Sequence, residues 1–139
     1  MKTIIRLLLA ALALGFTAIA AQAQSPAEIM SEKEIAARDA VLTKLQKAGI
    51  ITADEADHIV QNATRKKGAR CDSALIAKII DAGVKAKGGN PASLDETIEF
   101  IAAKKMVGDP AALKRTLTQP KTAGAYALAL VIRFGGYIK

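Results

Sequence analysis

One cysteine, one histidine and no tryptophan occur among the 139 residues, and each scarcity closes off a class of function. A single His and a single Cys cannot assemble a zinc site of the usual imidazole–thiolate kind within one chain. The lone Cys71 cannot make an internal disulfide. In an oxidising compartment such a thiol is buried, free, or bridged to another chain, whether as a dimer or as a mixed conjugate. Arg70 beside it would favour a reactive thiolate if the site were partly exposed. Ser-His-Asp catalysis could draw only on His58, which lies in a helical pattern next to Ile59. Neither a Gly-x-x-x-x-Gly-Lys-Ser/Thr phosphate loop nor a calcium loop is present. Two Tyr and three Phe offer little platform for a sugar or for stacked bases. The carboxylate pairs Asp54/Glu55 and Asp95/Glu96 are sequence neighbours at helix starts. Glycoside hydrolysis needs two carboxyls facing each other across a cleft. The inventory therefore points to no catalytic residue, no cofactor and no metal, and a small cell-wall hydrolase ranks last among the functional readings.

The first 23 residues read as a secretory signal. Lys2 and Arg6 form a positive start, 7–20 is apolar apart from Gly15 and Thr17, and Ala21-Gln22-Ala23 supplies small residues at a peptidase site. The apolar run is shorter than the roughly 20 residues of a spanning helix, which disfavours a retained anchor. Cleavage is expected after Ala23, placing the mature chain in the periplasm or outside the cell. No transmembrane segment is expected in that mature chain. Loss of Lys2 and Arg6 lowers the formal net charge of +7 by two, leaving a mildly basic protein. What remains suits one domain.

The mature sequence has helical grammar throughout. A short extension, 24–30, leads into a helical domain, 31–139. Ser31-Glu32-Lys33-Glu34 is a capping box, in which serine and glutamate side chains each satisfy a backbone N–H. It opens a helix to about 48, with Ile35, Leu42 and Leu45 on one side and Gly49 at its end. Thr52-Ala53-Asp54-Glu55 opens a second, with Ala56, Ile59, Val60 and Ala63 at helical spacing and Gly68 closing it. A third starts near Asp72 or Ser73, carries Leu75, Ile76, Ile79 and Ile80, weakens at Gly83 and stops by Gly88. Ser93 to Glu96 opens a fourth, with Leu94, Ile98 and Ile101, ended by Gly108. Asp109-Pro110 starts a short fifth, which Pro120 ends.

Residues 125–134, AYALALVIRF, are apolar except for Arg133. Alternation would permit a strand. A lone strand has no partner for its backbone groups, so the surrounding pattern favours a buried helix over about 123–134. The expected architecture is all-α: a single small domain of four to six short helices, as antiparallel hairpins around an apolar C-terminal helix. A repeat joins 42–50 to 76–84 and Thr52-Ala-Asp-Glu to Ser93-Leu-Asp-Glu, which divides the chain into hairpins 31–67 and 73–107.

Charge follows the helices. Acids gather at starts (Glu32, Asp54, Asp95). Bases gather at ends (Lys44 and Lys47; Arg65 to Lys67; Lys85 and Lys87; Lys104 and Lys105), where each offsets the helix dipole by about 0.3–1 kcal/mol. The cluster Arg65, Lys66, Lys67 and Arg70 exceeds what one helix end requires, and it is the sequence's own candidate for anion binding. The leading expectation is a non-enzymatic envelope protein that binds another protein, as accessory subunit or inhibitor. The alternative is a cationic module binding anionic lipid, polysaccharide or nucleic acid through 65–70. Export and the scarcity of aromatics argue against nucleic acid.

Overall fold

The computed structural model describes residues 29–139. The signal segment 1–23 and residues 24–28 of the extension lie outside the described residues. Among the described residues, six helices and two short strands follow in order: α1 (Glu32–Lys47), α2 (Ala53–Asn62), β1 (Arg70–Asp72), α3 (Ser73–Ala86), α4 (Leu94–Ala103), α5 (Pro110–Leu117), β2 (Lys121–Ala123) and α6 (Gly124–Gly135). The domain is all-α apart from one antiparallel strand pair, which sets Arg70 opposite Ala123, Cys71 opposite Thr122 and Asp72 opposite Lys121. None of the described helices is long and apolar enough to cross a membrane.

The capping residues act where the sequence places them. Ser31 Oγ accepts from the Glu34 N–H at 3.1 Å while Glu34 Oε1 accepts from the Ser31 N–H at 3.1 Å. Thr52 and Glu55 repeat the exchange at the start of α2. Such caps contribute about 1 kcal/mol each. The apolar C-terminal segment is a helix, α6, and it occupies the centre. Ala127, Leu128, Leu130, Val131 and Phe134 are buried there. They pack chiefly on Ile76, Ile79, Ile80 and Val84 of α3 and on Val41, Leu42 and Leu45 of α1. Fully burying one such side chain stabilises by about 1.5–3 kcal/mol, so this three-helix contact outweighs the caps.

Two glycines allow the helices to approach this closely. A Cβ built on Gly83 would lie 2.6 Å from the backbone oxygen of Phe134, and one on Gly135 would lie 2.1 Å from Val41 Cγ1. Gly83 therefore does not weaken α3. It sits inside the helix as the point where α6 backbone meets α3 backbone.

The structure corrects several expected boundaries. Helix α2 stops at Asn62, not at Gly68, and its last turn holds no base. Helix α4 stops at Ala103, well before Gly108. Ile35 and Val60, placed on apolar faces by their spacing, are 39% and 38% exposed. The strand pair was not expected; three-residue strands carry too little alternation to be seen in sequence.

The element order is helix–helix–strand–helix twice, α1–α2–β1–α3 and then α4–α5–β2–α6, with the strands meeting centrally at Cys71 and Thr122. In that order Ser31 corresponds to Ser93, since each caps the first helix of its unit. The similar segments 42–50 and 76–84 sit differently: Gly49 terminates α1 at φ 75°, whereas Gly83 lies within α3.

Candidate functional site

Residues 63–69 form a loop between α2 and β1, not a helix end. Gly68 takes φ 83° and the Ala69 N–H returns to the Lys66 carbonyl at 3.0 Å. Arg65 does not wait for an external anion. Its Nε donates to both Glu34 oxygens, at 2.8 and 3.0 Å, and its terminal nitrogen lies 2.7 Å from Glu34 Oε2. The Arg65 guanidinium and the Ser31 N–H together hold the Glu34 carboxyl below the ordinary carboxylate range. The pair ties the start of α1 to the loop. Lys66, Lys67 and Arg70 are exposed and make no ion pair among the described residues. The four-base cluster is thus two free lysines on a loop and Arg70 at the start of β1, with the fourth base already neutralised.

Cys71 is fully buried in β1 beneath the helices. Burial pushes its thiol up to about 11, so it is protonated and inert at neutral pH. An interchain bridge through Cys71 does not fit a side chain with no exposed surface. Arg70 points to solvent and does not activate it. Its neighbour across the ladder, Thr122, is also buried, and Thr122 Oγ1 has no hydrogen-bond partner.

The serines and His58 are engaged in structure. Ser93 caps α4, and Ser73 Oγ points to the Thr116 carbonyl at 3.5 Å. Half-buried His58 uses Nε2 to accept from the Asp72 N–H at 3.4 Å, and its backbone carbonyl accepts from Asn62 Nδ2 at 2.8 Å. Among the described residues, no serine hydrogen-bonds His58. Among the described residues, no group of three His, Cys, Asp or Glu side chains is placed to hold a metal.

A more spacious cleft lies elsewhere, where α3, α4 and α6 all end. It encloses about 740 Å³ and is lined by Ala86, Lys87, Lys104, Lys105, Met106, Arg133, Gly136, Tyr137 and Lys139. Five of these are cations and none is an acid. None of the five joins an ion pair among the described residues. Arg133 is fixed by donating to the Met106 carbonyl at 3.0 Å, which leaves most of its donors free. Lys87 Nζ stands 4.9 Å from the centre of the Tyr137 ring, and that ring packs edge-on against Phe134 with centroids 5.8 Å apart.

Helix dipoles explain only part of this charge. Three C-termini contribute about −0.5 each, roughly −1.5 in all. Leaving aside Lys139 at the end of the chain, four cations remain against that. The caps have already satisfied many end carbonyls. The Met106 N–H bonds Ile101 O at 3.0 Å, and the Gly89 N–H bonds Val84 O at 2.9 Å. The helix ends therefore leave a clear surplus of positive charge in the cleft.

One lysine is held there against backbone preference. Helices α1 and α3 end through Gly49 (φ 75°) and Gly88 (φ 96°), but α4 ends through Lys105 at φ 54°. A side chain in that left-handed position costs roughly 1–2 kcal/mol relative to the usual right-handed conformation, and glycine avoids the cost. In the sequence alone, Lys87, Lys104 and Lys105 look like ordinary helix-ending charges. The signal that could have singled out Lys105 is the missing glycine where α4 ends.

Comparison with protein-family models, with curated proteins and with solved structures finds no match for this chain.

Proposed function

We propose that the protein is exported by its first 23 residues and works in the cell envelope without catalysis, by binding anionic groups of a partner in the cleft at the ends of α3, α4 and α6. The observation that carries this reading is the set of four unpaired cations, Lys87, Lys104, Lys105 and Arg133, with Lys139 beside them and no acidic side chain among the lining residues, around one 740 Å³ space. The export signal supports the compartment, and the structural duties of Ser73, Ser93 and His58 support a binding role over a hydrolytic one. The cluster at 65–70 is a weaker candidate, because Arg65 is spent on Glu34.

Two variants of equal charge separate a site from general stickiness. Lys87→Ala/Lys104→Ala/Lys105→Ala and Lys66→Ala/Lys67→Ala/Arg70→Ala each remove three positive charges. The chain is taken from the periplasmic fraction, where its intact mass should show Gln24 as the first residue. Binding to dextran sulfate is measured in low and high salt. The parent should bind at least roughly tenfold more weakly at high salt, as screening dictates. The cleft variant should lose most of its low-salt affinity and the loop variant little. Equal losses, or no binding at low salt, would sink the assignment to the cleft. A mature chain that retains residues 1–23 would sink the export reading.

A further inference from the structure

We infer that the cleft takes a compact phosphate-bearing ligand, one carrying two or more phosphate groups close together. The inference rests on the binding reading above and adds the chemistry of what is bound.

Three observations lead to phosphate. The first is charge density. Lys87, Lys104, Lys105, Arg133 and Lys139 crowd one cleft of about 740 Å³, a volume suited to a small ligand or a headgroup. A single carboxylate is matched by one or two cations, whereas adjacent phosphates bring several negative charges into the same space. The second is the kind of cation. Four of the five are lysines, compact point charges that suit the many equivalent oxygens of phosphate. The one arginine, Arg133, uses one nitrogen on the Met106 carbonyl and keeps its other donors for a phosphate oxygen. The third is Lys105, which keeps its side chain at φ 54° where α1 and α3 use glycine. Backbone strain retained at the mouth of a cleft marks a side chain held for its charge. Tyr137, set by Phe134 and faced by Lys87, gives the cleft one rigid wall.

The test is calorimetric titration of the mature chain with inorganic pyrophosphate at low salt, with citrate as a carboxylate of comparable charge. Pyrophosphate should bind at least about tenfold more tightly than citrate. Lys105→Ala, which keeps the backbone conformation and loses the charge, should weaken pyrophosphate binding. Lys105→Gly should weaken it as much while its thermal midpoint is unchanged or higher, so misfolding cannot account for the loss. The source of the phosphate is read from vesicles of phosphatidylcholine with and without cardiolipin, whose headgroup carries two phosphates. Co-sedimentation only with the cardiolipin vesicles, displaced by pyrophosphate, identifies a lipid headgroup. Pyrophosphate binding without co-sedimentation identifies a soluble ligand. Citrate binding as tightly as pyrophosphate overturns the phosphate assignment and leaves the anion-binding reading standing. Binding of neither at low salt overturns both. A Lys105→Gly chain that binds pyrophosphate like the parent overturns the role given to Lys105.

Discussion

Phe134→Ala is expected to cost about 3–5 kcal/mol, the range for removing a fully buried aromatic side chain and leaving its space unfilled. Phe134 has no exposed surface and lies on the central helix, against both α3 and the Tyr137 ring. A domain of this size has about 5–15 kcal/mol of total stability, so the loss is a large share of it. The thermal midpoint should fall by roughly 10–20 °C. Phe134→Leu, which keeps much of the volume, should cost well under half as much. Urea titration followed by circular dichroism gives both values. A loss below about 1 kcal/mol for the alanine variant would mean that α6 is not the centre of the core. The same substitution removes the support of Tyr137, so any surviving folded protein should also bind anions less well.

Gly83→Ala has the second largest expected effect, and two opposing contributions decide its sign. Alanine in a helix interior is favoured over glycine by about 1 kcal/mol. Against that stands the new methyl, which would lie 2.6 Å from Phe134 O, 3.0 Å from Phe134 Cβ and 3.1 Å from Phe134 C. A backbone oxygen cannot rotate aside as a side-chain tip can. Relief requires α3 and α6 to separate along the most extensive helix contact in the molecule. Forcing a methyl into a packed core costs about 1–3 kcal/mol, and here the shift spreads along two helices, so the balance is destabilising. Gly108, with open space around it, is the control: Gly108→Ala should be nearly neutral. Equal stability of the two variants would show that the close crossing at Gly83 is not tight. Valine at 83 should be worse than alanine.

The helices were legible because their signals are local. Ser31-Glu34, Thr52-Glu55, Ser93-Glu96 and Asp109-Pro110 each announce a start within four residues, and each acts there in the structure. The apolar run at 125–134 marked the central helix, since nothing else in the chain could bury it. The end of α2 was misjudged because Arg65, Lys66 and Lys67 look like helix-ending charges. Arg65 instead answers Glu34, a partner 31 residues away that no local pattern reveals. The cleft was illegible for the same reason. Its residues come from 86–87, 104–106, 133, 136–137 and 139, and each group alone looks like ordinary charge at a helix end. Only the packing of α3, α4 and α6 brings three modest clusters to one place.

The pairing of Cys71 with Thr122 also fixes an order of events. Roughly fifty residues of chain must be folded back before those two strands can meet, and such long closures are made late, after neighbouring helices have formed. The thiol is covered only when the two units join. Its rate of protection during refolding therefore clocks the union of the halves. It should lag behind the recovery of helical signal, and simultaneous recovery would show that the halves never fold apart.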